Sequence, residues 1–225
     1  MSINVIAHDL RLEGRTPAVT SSSLSFEVDE DTPIQHFFDR CRAIASEHDG
    51  IDILSIMAHG TELRFFAEAM GGGYGIQFCR DLITLDNIDL FALLADKVRH
   101  IDLYVCFAAA VSPDVYHADF PRPEDDGVWN GDGNELCRLM AIRAQASLTA
   151  STDFQAYEEA EGAGPPVFGH SLYTFGDMHF DEWEGTVVTY NSSGDIIDRR
   201  VFPTVWRTPD GVVHHPRLDS RPSGY

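Results

Sequence analysis

A chain of 225 residues with 44% apolar side chains, 14 Phe and 3 Trp among them, has the material for one large domain and a sizeable core. Its 36 acidic against 16 basic residues give a formal charge of −20, a field that repels phosphate backbones and acidic bilayers and so argues against nucleic acid or membrane as a partner. No apolar run is long enough to cross a bilayer, and Met1-Ser2-Ile3-Asn4 leads into no apolar signal core. The expected setting is the cytoplasm, or export without a classical signal peptide. The spacings of Cys41, Cys79, Cys106 and Cys137 fit no zinc pattern, and four cysteines in this length are not a disulfide scaffold, so free thiols are expected.

In chain order, the apolar stretch 3–7 predicts a first strand and 24–28 a second, at a sheet edge. Thr32, Pro33 and Gln35 read as cap, first turn and capping box of a helix whose inward stripe is Ile34, Phe37, Phe38, Cys41, Ile44 and Ala45, ending at Asp49-Gly50. The run IDILSIMA (51–58) suits a strand buried on both faces and stops at His59-Gly60. Segments 63–66 and 75–79 predict a hairpin around Gly71-Gly72-Gly73. A second helix is expected over 86–98, with Ile88, Phe91, Ala92 and Ala95 inward. IDLYV (101–105) predicts another buried strand, ending at Cys106.

Residues 112–133 read as a long polar loop, of the length that often carries function. Asp132 and Glu135 predict a capping box for a helix carrying Leu136, Leu139, Met140 and Ala144. A strand over 147–150 follows, running into Ser151-Thr152-Asp153, then a loose acidic loop over 158–166. Residues 186–190 and 196–202 flank the turn Asn191-Ser192-Ser193-Gly194 as a hairpin. Alternating strands and helices of this kind imply an α/β fold, a mostly parallel central sheet flanked by helices, with a β-rich C-terminal extension. Residues 1–180 are expected to form the α/β domain, and 181–225 a hairpin and irregular tail packed on it.

Parallel sheets present functional groups at the carboxyl ends of their strands. His59 and Cys106 both stand there. If their strands are neighbours, the chain axes run about 4.8 Å apart and the two side chains come within reach. A cysteine needs deprotonation to attack a carbonyl, and a histidine beside it accepts that proton. Gly60 leaves space beside the histidine, and its amide with that of Cys106 forms a candidate oxyanion site. The alternative for each residue taken alone is structural: a buried strand-end thiol and a hydrogen-bonded strand-end histidine.

Other motifs carry less. Gly71-Gly72-Gly73-Tyr74-Gly75 lacks the Gly-Lys-Ser/Thr ending of a phosphate loop, and no G-x-S-x-G is present. His170, His179, Asp181, His214 and His215 read as loop residues rather than metal ligands. Cys41 and Cys137 fall on inward helix faces.

Apolar strand, His59-Gly60, helix, apolar strand, Cys106: this order resembles the caspase–hemoglobinase group of cysteine peptidases, where about 50 residues separate the pair, against 47 here. The stretch GDGNELCRLMAIRAQASLTASTD resembles the helix and strand that follow the nucleophile in bacterial caspase-like domains. The likeness spans residues 51–153. At the nucleophile this chain has Tyr104-Val105-Cys106-Phe107-Ala108 where caspases carry a Gln-Ala-Cys-x-Gly type sequence. The resemblance implies a three-layer sandwich and an endopeptidase acting on protein or peptide with His59 and Cys106 and no metal or organic cofactor. It also implies a specificity pocket near the later strand. Asp153 there would take a basic side chain, or else cap its own loop. The other expectation is an inactive relative that keeps the fold as a protein-interaction module. Oligomeric state is left open.

Overall fold

The computed structural model describes residues 2–17, 20–60, 63–65, 69–71, 73–111, 131–153, 155, 157–159, 166–167, 170–171, 177–180, 183–202, 206–207 and 213–214. Its frame is a seven-stranded sheet: β1 (Ile3–Asp9), β2 (Ser23–Val28), β3 (Ile51–Met57), β4 (Val98–Tyr104), β5 (Ser147–Ser151), β6 (Gly185–Tyr190) and β7 (Ile196–Phe202), in the order β7-β6-β5-β4-β3-β1-β2. β2, β1, β3, β4 and β5 run parallel; β6 is antiparallel to both β5 and β7. The fold is α/β with a mostly parallel central sheet, and the C-terminal hairpin belongs to that sheet.

Among the described residues three helices connect the parallel strands: α1 (Ile34–Glu47), a 3-10 helix (Leu85–Leu94) and α2 (Gly133–Ala144). Each connection steps the same way across the sheet, so right-handed crossovers place all three on one face. One core joins them to Val5, Ala7, Leu54, Ile56, Ile101, Leu103, Leu148 and Ala150. Its aromatic centre is edge-to-face: Phe37 on Phe78 at 4.9 Å and Phe38 on Phe91 at 5.2 Å. The other face carries a smaller cluster of Leu12, Met57 and Met178 with Ile6, Tyr104, Tyr157 and Phe180, none from a helix. Among the described residues the three helices share the first of these cores.

The stripe expected for α1 is the buried set. Its cap differs. Pro33 is the N-cap without a side-chain bond, because Thr32 is engaged by Asp29, its hydroxyl 2.6 Å from Oδ1. Asp81 reaches in instead and accepts from the Ile34 amide at 2.9 Å. Gln35 bonds Asp39 and closes no box. Gly50, with φ +86°, turns the chain into β3.

The glycine-rich hairpin is nested rather than simple. Leu63–Phe65 pairs with Ala69–Gly71, while Ile76–Gln77 pairs with His59–Gly60. The element expected over 86–98 is the shorter 3-10 helix, and Val98 already opens β4. Leu85, Ile88, Phe91 and Leu94 recur every third residue, which suits a helix of three residues per turn and turns Ala92 outward. At α2 Asp132 accepts from the Glu135 amide at 2.9 Å, but the Glu135 carboxylate pairs with Arg138 at 2.7 Å rather than completing the box. Glu158 and Glu159, expected in the acidic loop, belong to the strand Tyr157–Glu159, which pairs with Met178–Phe180. Trp206–Arg207 pairs with Val213–His214. Of the long loop expected over 112–133, residues 112–130 lie outside the described set, as do 160–165 of the acidic loop.

Candidate active site

Parallel pairing fixes the site. β3 and β4 pair Ile53 with His100, Leu54 with Ile101 and so on to Met57 with Tyr104, an offset of 47 throughout. The Ala58 amide continues the ladder onto the Tyr104 carbonyl at 3.3 Å. Carried two residues past that pair the same count aligns His59 with Cys106 in sequence, while His59–Gly60 itself pairs with Ile76–Gln77. The strands stay in contact there: a Cβ on Gly60 would lie 2.0 Å from the Cys106 carbonyl oxygen. The space that glycine leaves is filled by that carbonyl.

His59 is half-buried, and its Nε2 lies 3.0 Å from the Arg11 carbonyl oxygen. A carbonyl only accepts, so Nε2 carries the hydrogen and the neutral ring keeps its lone pair on Nδ1. Arg11 is itself held. Its guanidinium forks onto the fully buried Asp9 carboxylate at 2.7 and 2.6 Å and donates to the Cys79 carbonyl at 2.8 Å. The Cys79 amide returns to Asp9 Oδ2 at 2.8 Å. The end of β1 is thus locked to the hairpin beneath His59.

Cys106 is half-buried, whereas Cys41, Cys79 and Cys137 are buried. Burial pushes the Cys79 thiol up to about 12, with Asp9 adding to it, and raises Cys41 and Cys137 as well. The Cys106 sulfur meets the backbone of Gln155: the amide points at Sγ from 3.4 Å and the carbonyl oxygen stands at 3.6 Å. Gln155 is buried and clasps β6, its Nε2 donating to the Glu184 carbonyl at 3.0 Å and its Oε1 accepting from the Glu184 amide at 3.2 Å. Nothing in the residue type marks Gln155 in sequence; only its place just beyond a strand end could have.

Phe107, after Cys106, takes a left-handed turn at φ +57° and donates to the Asp153 carbonyl at 2.9 Å. Asp153 therefore stands one residue from Cys106 through its backbone. Its carboxylate lies against Gly185 and accepts from the Thr152 hydroxyl at 3.3 Å, and among the described residues no basic side chain pairs with it. Beside the site rises an aromatic wall, with Tyr104 stacked on Phe180 at 5.0 Å and on Trp183 at 4.7 Å, and Tyr157 tilted on Phe180 at 5.7 Å. Burial raises the Tyr157 phenol, and neighbouring Glu13 and Cys106 add to it.

The structure thus brings His59, Gly60, Cys106 and the Asp153 backbone together at the carboxyl ends of β3, β4 and β5. The His59 and Cys106 side chains are held by different backbone partners, Arg11 and Gln155. No group of three or more His, Cys, Asp or Glu among the described residues is arranged to hold a metal, and Asp181 and His215 lie outside that set. No described helix is long and apolar enough to cross a membrane. Comparison with protein-family models, with curated proteins and with solved structures gave no match to this chain.

Proposed function

We propose that this chain is a caspase-like cysteine endopeptidase with His59 and Cys106 as its dyad. The constant offset of 47 between β3 and β4 supports the reading, because carried past Met57–Tyr104 it aligns His59 with Cys106 at the strand ends where α/β sheets work. Nδ1 of His59, left basic by the Arg11 bond, takes the Cys106 proton. The thiolate attacks the scissile carbonyl, and the amides of Gly60 and Cys106 hold the oxyanion. The imidazolium then protonates the departing amine, leaving a thioester. A water deprotonated by His59 hydrolyses that thioester and restores the thiol. Asp153, with no basic partner among the described residues, selects an arginine or lysine side chain before the cleaved bond.

One observation favours a second reading, an inactive relative that binds peptide in the same cleft: the His59 ring and the Cys106 sulfur are engaged by separate backbone groups. Alkylation of Cys106 as a function of pH, followed by mass spectrometry in the native protein and in His59→Ala, separates the two. Fast reaction well below about 8.5, lost in His59→Ala, supports the dyad. A peptide-library screen then shows cleavage that falls about 10²–10⁴-fold in the same variant. A thiol that reacts only on unfolding, or identically in both proteins, sinks the peptidase and leaves the binding module.

A further inference from the structure

His59 is attached to the fold at two points: its ring meets the Arg11 carbonyl, and its backbone pairs with Gln77 of the hairpin. Both attachments lead back to one carboxylate. Asp9 ends β1 with a fully buried side chain. Its two oxygens take four donors: the Arg11 amide at 3.2 Å, Arg11 Nε at 2.7 Å, Arg11 Nη2 at 2.6 Å and the Cys79 amide at 2.8 Å. Arg11 Nη2 also reaches the Cys79 carbonyl at 2.8 Å, so the main chain of Cys79 is gripped on both sides. Cys79 sits there at φ +54°, a conformation that a non-glycine residue keeps only when its surroundings hold it.

The peptide unit between Arg11 and Leu12 shows what the grip achieves. Its N–H donates to the Asp9 carbonyl at 2.9 Å, and its C=O accepts from His59 Nε2 at 3.0 Å. The two groups of a trans peptide point in opposite directions, so fixing one aims the other. Asp9 therefore holds that unit through its own carbonyl and, through the forked guanidinium, keeps the turn from rotating away. Stability alone does not call for such an arrangement, because a buried ion pair can often be replaced by apolar side chains without loss.

We propose that Asp9 is a positioning residue for His59: by gripping Arg11 and Cys79 together, its carboxylate keeps the Arg11 carbonyl on Nε2 and so keeps Nδ1 as the basic atom of the ring. Among the described residues its hydrogen bonds go to Arg11 and Cys79, so it acts on His59 through them. What this does for the reaction rests on the dyad reading of His59 and Cys106; the setting of the ring does not.

Nitrogen NMR of His59 in the full chain, at a pH where the ring is neutral, tests the ring, and the alkylation rate of Cys106 across pH tests the consequence. The wild type is expected to show a single tautomer with hydrogen on Nε2. Arg11→Ala keeps the carbonyl that meets His59 and removes only the grip. It is expected to give a mixture of tautomers and to slow the His59-dependent alkylation by up to about 10²-fold. Arg11→Lys, which keeps the charge but not the fork, falls between. Asp9→Asn, which keeps an acceptor for the Cys79 amide, follows Arg11→Ala; if it does not fold, the two Arg11 variants decide. A loss of stability alone would leave the tautomer of the folded protein unchanged. Folded variants that retain the single Nε2–H tautomer overturn the proposal, and if wild-type alkylation still depends on His59 the dyad stands without it. Mixed tautomers in the variants, with alkylation that never depends on His59, uphold the positioning role and sink the dyad instead.

Discussion

Gly60 shows how little slack the site has. A methyl group there would collide with the Cys106 carbonyl, which is backbone and cannot swing aside. Gly60→Ala is therefore expected to lower the unfolding free energy by about 1–3 kcal/mol, the usual cost of overpacking, measured by urea denaturation. It should also change the Cys106 alkylation rate, because the strand ends must part. That the ends of β3 and β4 are neighbours was legible in the sequence, because two apolar runs joined through a helix predict a parallel pair. The partners that hold them were not. Arg11 and Gln155 act through main-chain atoms, which no residue type advertises.

Among the elements, helix caps separate what local sequence tells from what it hides. At the 3-10 helix the Thr84 hydroxyl accepts from the Asp86 amide at 3.3 Å and Asn87 accepts from the Thr84 amide at 3.0 Å. At α1 the local candidate, Thr32, is taken by Asp29, and the cap comes from Asp81, 47 positions away. Asp81→Ala is expected to cost about 1 kcal/mol in denaturant unfolding, while Asp81→Asn, which keeps an acceptor oxygen, retains most of it. Thr32→Ala should disturb the Asp29 turn without uncapping α1. The period of three in Leu85, Ile88, Phe91 and Leu94 was visible in the sequence, but a 3.6-residue template reads it as an ordinary helix with Ala92 inside. Length argues for that template, since 3-10 helices rarely run beyond a turn or so. Packing on α1 and α2 overrides it here.

For the whole molecule, buried acids set an alkaline limit. The folded state holds the protons of Cys41 and Cys137 by burial, and those of Tyr104 and Tyr190 for the same reason first. Below the ordinary thiol value of 9.0 both folded and unfolded chains keep these protons, and no stability turns on them. Above it the unfolded chain releases what the folded chain retains. Stability then falls by about 1.4 kcal/mol per pH unit for each fully buried thiol, until the pH reaches the folded value. Urea midpoints near neutral pH and above about pH 10 should show that loss, and Cys137→Ala should remove its share of the pH dependence. The sheet itself was legible from alternating apolar runs and helical stripes. Which face the helices share was not, because that follows from the direction of successive crossovers, and strand order is a property of the folded chain.

That strand order has a consequence for synthesis. β1 and β2 are made first, β3 joins β1, and β4, β5, β6 and β7 each lie against the strand made just before them. As the polypeptide leaves the ribosome, each strand of this sheet from β2 onward meets a neighbour that already exists. Folding can therefore advance as a moving front, one strand at a time. Chains stalled after β5 should already resist protease through the β1–β5 region.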